Sequence, residues 1–108
     1  MDETYEVVVT PKAEKNLSNI IDYLILNESW DLAEKIRNTL LEEIESLSKM
    51  PTANGILQQI SDTQLTFRRK LKWQYRIIFV IEETEKLVFV IAIDHTRQNP
   101  IELLDLVK

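Results

Sequence analysis

The chain has 108 residues, 44% of them hydrophobic and 29% charged, with one Gly and three Pro, a composition of single compact domains rather than of disordered or fibrous chains. It has no Cys and a single His, which excludes disulfides, Cys-ligated zinc, iron–sulfur clusters and thiol catalysis. Little remains for a metal site beyond carboxylates, so no metal and no other cofactor is expected, and the net charge of −5 argues against indiscriminate nucleic-acid binding.

That charge is unevenly distributed. Residues 1–62 hold 5 Lys/Arg against 12 Asp/Glu, and residues 63–108 hold 8 against 6. Between Phe67 and Ile81 there are five cations, Arg68, Arg69, Lys70, Lys72 and Arg76, and no acid. The N-terminus is acidic where a signal peptide carries positive charge, and no apolar run approaches the ~18 residues of a membrane span, so a soluble cytoplasmic protein without a membrane partner is expected.

In chain order, Tyr5, Val7 and Val9 alternate with their neighbours as a strand does. Thr10-Pro11 then opens a helix, Thr capping the free N–H groups and Pro occupying the first helical position. Ala13, Leu17, Ile20 or Ile21, Leu24 and Ile25 form its apolar stripe. Asn27, Glu28 and Ser29 interrupt it. Ser29 can cap a second helix whose stripe is Ala33, Ile36, Leu40, Ile44 and Leu47, and Met50-Pro51 ends it. So short a connection predicts an antiparallel hairpin of helices over 11–27 and 29–50, with Glu42, Glu43 and Glu45 on its solvated side.

Residues 51–64 read as a loop or short irregular segment. From Leu65 to Ile81 the odd positions are apolar apart from Arg69, but one strand of that length would run to roughly 55 Å, so a break is expected between Lys70 and Gln74. Glu82 to Glu85 form a polar turn, and the branched run Leu87–Ile93 fits a strand covered on both faces. Asn99-Pro100 and the following Leu-rich stretch read as a short capped helix or a docking tail. The expected fold class is α+β over residues 1–108: an N-terminal strand, a two-helix antiparallel hairpin, then an antiparallel β-meander and a short C-terminal helix or tail. Three or four mainly antiparallel strands carry both helices on one sheet face.

Arg68, Lys70 and Lys72 alternate and so share one strand face, with Arg76 close by on the next strand. Such a cluster, with Arg69, suits binding the phosphates of a nucleic acid, and it equally suits protection of a sheet edge. Trp73 and Tyr75 suit base stacking but fall on the apolar phase, which favours core packing. His95, just past the buried strand, suits proton transfer at neutral pH or a structural hydrogen bond, with Asp94 as a neighbour.

The succession Tyr5-x-Val7, Thr10-Pro11-x-Ala13, Ala33 through Leu47 to Pro51, Tyr75-Arg76-Ile77-Ile78-Phe79 and Val90 through His95-x-Arg97 to Pro100 resembles the RelE/ParE toxins of bacterial type II toxin–antitoxin modules, the plasmid-stabilisation type. The resemblance implies one toxin domain and a cognate antitoxin as partner. It also implies one of two targets: messenger RNA on the ribosome, cut by RelE-like members, or DNA gyrase, poisoned by ParE-like members. As an endoribonuclease (mRNA interferase), the chain would use Arg76, His95 and Arg97 as catalytic residues, with cations stabilising the phosphoryl charge and His95 moving a proton. A third possibility is a non-catalytic interaction module. The antitoxin is expected to cover apolar surface at the hairpin, the sheet edge or the tail residues Leu103, Leu104 and Leu106. Two departures weigh toward a ParE-like or non-catalytic member: no Tyr or His follows Arg97, and the sequence pI is near 4.9.

Overall fold

The structure, a computed structural model, describes residues 4–57 and 66–96. Thr10 and Pro11 act as the sequence predicts. The Thr10 hydroxyl accepts from Ala13 N–H at 3.3 Å, Pro11 is the first helical residue, and helix α1 runs Pro11–Asn27. Ser29 accepts from Leu32 N–H at 3.1 Å and opens α2, Trp30–Glu45. This helix is shorter than expected. Its last turn tightens into a 3-10 segment, Ser46–Ser48, which still buries Leu47, and Met50 takes a left-handed φ of 50° before Pro51. The residue before a proline is disfavoured in the right-handed helical region, so the helix does not continue through Met50. The left-handed conformation it adopts is not the extended one that proline favours there.

Strands β1 (Glu6–Val9), β2 (Arg68–Lys72), β3 (Tyr75–Glu82) and β4 (Leu87–His95) form one sheet in the order β1-β4-β3-β2. The meander β2-β3-β4 is antiparallel, whereas β1 joins β4 in parallel, a pairing made possible by the helical hairpin between them. The branched run of Leu87–Ile93 thus lies inside the sheet. The expected break falls at Trp73-Gln74, a two-residue turn that pairs Lys72 with Tyr75.

Two cores result. On one face Ala13, Leu24, Ala33, Ile36, Leu40, Ile44 and Leu47 pack against Tyr75, Ile77, Phe79, Val88, Val90 and Ile93. On the other, Leu57 and Phe67 cover Ile78 and Ala92. Segment 51–57 is therefore more than a connection: it contributes a 3-10 turn, Pro51–Ala53, a bridge from Ile56 to Arg68 and the buried Leu57. Residues 58–64 of the expected loop and Leu65 lie outside the described residues, as does the expected C-terminal helix or tail. Among the described residues, no helix is long and apolar enough to cross a membrane.

Two elements decide which side chains share a face. Across the hairpin, Leu71 pairs with Arg76 and Lys70 with Ile77, so the odd positions of β2 and of β3 point to opposite sides. In β4, Phe79 pairs with Val90 but Ile78 with Ala92, leaving Ile91 as an extra residue. This bulge moves Ile93 to the helical side, beside Val88 and Val90.

Thr10 also joins helix to sheet, since its hydroxyl donates to the Val90 carbonyl at 2.8 Å. Thr10→Ala should therefore lower stability by about 1–2 kcal/mol, read as a lower urea midpoint with an unchanged slope.

Candidate functional site

The residues expected to act together are divided between the two faces of the sheet. Arg76 points away from the helices, is only 6% exposed, and holds Asp94, its partner across β3 and β4, in a two-pronged ion pair. Its Nε donates to Asp94 Oδ1 at 2.9 Å and its Nη2 to Oδ2 at 2.6 Å. Fork-to-carboxylate geometry of this kind is the strongest charge-assisted pairing available to arginine. The carboxylate expected as a neighbour for His95 is thus held by Arg76.

His95 faces the helical side, where its ring meets Tyr75 edge-on with centroids 5.9 Å apart. Burial and the neighbouring Tyr23 phenol raise the Tyr75 pKa above its ordinary value of 10.0, so Tyr75 stays a neutral phenol. Asn16, a polar residue within the apolar stripe of α1, accepts the Ile93 N–H at 3.0 Å. Beyond Val90, β4 has no β1 residue beside it, and Asn16 supplies the missing acceptor.

Arg68, Lys70 and Lys72 do share one face, that of Tyr75, Ile77 and Phe79. Arg76 is on the other. Lys70 and Lys72 both reach Glu43 of α2, at 3.2 and 3.7 Å, and Lys70 also donates to the Ser46 hydroxyl. Arg68 donates to the carbonyls of Thr52 and Asn54, at 3.3 and 2.8 Å. Arg69, on the opposite face, donates its backbone N–H to the Gly55 carbonyl at 2.9 Å. Glu43, expected to be solvated, is instead a half-buried counter-ion to the strand. Arg97, Leu103, Leu104 and Leu106 lie outside the described residues.

An open cleft of about 780 Å³ lies where the hairpin meets the sheet end, lined among others by Asn19, Tyr23, Leu32, Lys35, Trp73 and His95. Trp73 corrects the expectation of core packing. It is 49% exposed, takes a φ of 54°, and receives the Lys72 ammonium 5.2 Å above its ring. A left-handed conformation is an outlier for so bulky a residue, and here the two-residue turn imposes it. The length limit on the strand was the signal that placed Trp73 near a turn; the alternation of apolar residues concealed it. No group of residues among those described has the composition of a metal site.

A family model described as the ParE toxin of type II toxin–antitoxin systems, parDE, matches residues 7–100. No curated protein matches the chain at a significant level. Among solved structures, the chromosomal ParDE toxin–antitoxin system from P. aeruginosa is similar, with a TM-score of 0.69 and 18% identity over 86% of this chain and 97% of that one. The toxin–antitoxin complex RelBE2 from Mycobacterium tuberculosis is also similar, with a TM-score of 0.63 and 19% identity over 85% of this chain and 91% of that one. At these identities the likeness carries the fold alone.

Two outcomes follow from the pairings. Asp94→Ala removes the carboxylate counter-charge of a buried guanidinium and should cost about 3–5 kcal/mol in chemical denaturation, while the double change Arg76→Met, Asp94→Leu should recover most of that loss. Glu43→Gln releases Lys70 and Lys72. It should strengthen binding to a heparin column, raising the salt needed for elution, while changing stability by about 1 kcal/mol or less.

Proposed function

Because the chain belongs to the ParE toxin family of type II toxin–antitoxin systems, we propose that it arrests growth by binding DNA gyrase rather than by cutting RNA, and that a cognate antitoxin neutralises it. The observation that carries this reading is the Arg76–Asp94 pair, buried on the sheet face opposite His95. Cleavage of RNA by attack of a 2′-hydroxyl needs a proton acceptor and a cation converging on one phosphate. Arg76 and His95 do not converge, and the guanidinium is already occupied by a carboxylate. Lys70 and Lys72 are likewise turned toward Glu43. The net charge of −5 further opposes entry into a ribosomal site rich in phosphate. The antitoxin is supported by the family and by the two similar structures, each of which is a toxin–antitoxin assembly.

The test is induction of the chain without an antitoxin, with RNA and DNA read from one culture. Primer extension on cellular messages should show them intact, DNA breaks and an SOS response should appear, and supercoiling by purified gyrase should fall as the protein is added. The Arg76→Met, Asp94→Leu variant should arrest growth as the parent does. Cut messages in the parent, with a loss of roughly 100- to 1,000-fold in cleavage in that variant, would instead establish a nuclease.

A further inference from the structure

Five large apolar side chains remain open to solvent at one end of the molecule: Tyr23 at 63%, Leu26 at 83%, Trp30 at 72%, Leu32 at 36% and Trp73 at 49%. Four of them fall between positions 23 and 32, around the corner of the helical hairpin, and Trp73 forms the facing rim of the cleft that Tyr23 and Leu32 also line. The hairpin's own packing does not use them, since Leu24, Ala33 and Ile36 supply its buried contacts there. A clustered apolar surface on a soluble domain marks an interaction site, and Trp and Tyr are the residues that most often carry binding energy. Trp73 holds its place at the rim despite a backbone conformation that costs about 1–3 kcal/mol.

Charge narrows the kind of partner. From Asp22 to Glu34 the chain carries four acids, Asp22, Glu28, Asp31 and Glu34, all exposed, and they outnumber the two lysines at the same place, Lys35 in the cleft lining and Lys72 over the Trp73 ring. None of the four forms an ion pair with a described residue. The excess of acid over base disfavours nucleic acid on such a surface. A second copy of the chain is also a poor match, because it brings another net −5 and its lysines on β2 already hold Glu43. We propose that the hairpin tip docks a protein segment carrying apolar anchors flanked by Lys or Arg, such as one face of a basic amphipathic helix. This rests on the reading that the chain acts by binding a protein, and it names the surface that does so.

The test uses the full chain and a fluorescein-labelled synthetic amphipathic peptide of leucine and lysine, with its leucine–glutamate counterpart as control. The lysine peptide should bind with an affinity that falls as salt rises, and should shift amide resonances of residues 23–34 and of Trp73. The glutamate peptide should not bind. Leu26→Ser with Trp30→Ser, two solvent-exposed changes, should leave the melting temperature intact and weaken binding roughly 30-fold. Asp31→Lys with Glu34→Lys should abolish the salt dependence and most of the affinity. Full affinity in the Leu26→Ser, Trp30→Ser variant, resonance shifts confined to other surfaces, or a concentration-dependent dimer that this variant dissolves would each overturn the proposal. Peptide binding is read independently of the target, so message cleavage by the parent chain would fail the gyrase reading alone.

Discussion

The arrangement of the site depends on one extra residue in the central strand. β4 lies between β1 and β3, so its side chains set what each face of the sheet can hold. Strict alternation from Val88 would carry Ala92 and Asp94 to the helices and His95 away from them. The bulge at Ile91 reverses this. Ile93 completes the helical core, His95 meets Tyr75, and Asp94 crosses to the face where Arg76 waits. The bulge falls where β1 ends at Val90, so it disturbs the ladder with β3 only. The residue after it in the helical core, Ile93, finds its acceptor in Asn16.

Burying the Arg76–Asp94 pair has consequences for chemistry as well as for folding. Removing two charges from water is expensive, and their mutual attraction offsets that cost only when the geometry is close to ideal, as the two-pronged contact here is. Once formed, the pair is poorly available to a substrate, because recruiting the guanidinium to a phosphate would leave a carboxylate buried and unpaired. The fold shared with the ParDE and RelBE2 structures does not itself dictate chemistry. What an arginine at this place in β3 can do is set by its partner across the strand, and an aspartate there ties it to the structure.

The helices were legible because their signals agreed: caps at Thr10 and Ser29, stripes at helical spacing and a proline after the second helix. The meander and its turn followed from alternation and from the limit on strand length. What the sequence concealed was facing. A two-residue turn inverts the phase of the pattern while keeping it apolar at odd positions, so Leu71 and Ile77 look equivalent in sequence and lie on opposite sides. The run Leu87–Ile93 is apolar at every position, so a bulge within it leaves no trace in hydropathy. The parallel pairing of β1 with β4 was hidden for a related reason: a strand buried between two others carries no mark of which neighbours it has. Asn16 went unread in the sequence, although a polar residue on an apolar stripe is the one signal that could have pointed to a buried backbone group in need of a partner.

Charge is treated differently on the edge strand and at the hairpin tip. The cations of the edge strand β2 are drawn inward, Lys70 and Lys72 onto Glu43 and Arg68 onto backbone carbonyls. Partly exposed pairs of this sort contribute little to stability, so their main effect is on the external field. A strand that reads as the basic part of the sequence is muted by the helix lying across it. The acids of the hairpin tip form no ion pair with a described residue, they outnumber the neighbouring Lys35 and Lys72, and they surround a concentration of exposed apolar side chains. The field a partner meets is therefore negative at the apolar end. Long-range attraction orients encounter and apolar contact holds it, and the two coincide at the hairpin corner rather than on the cationic strand.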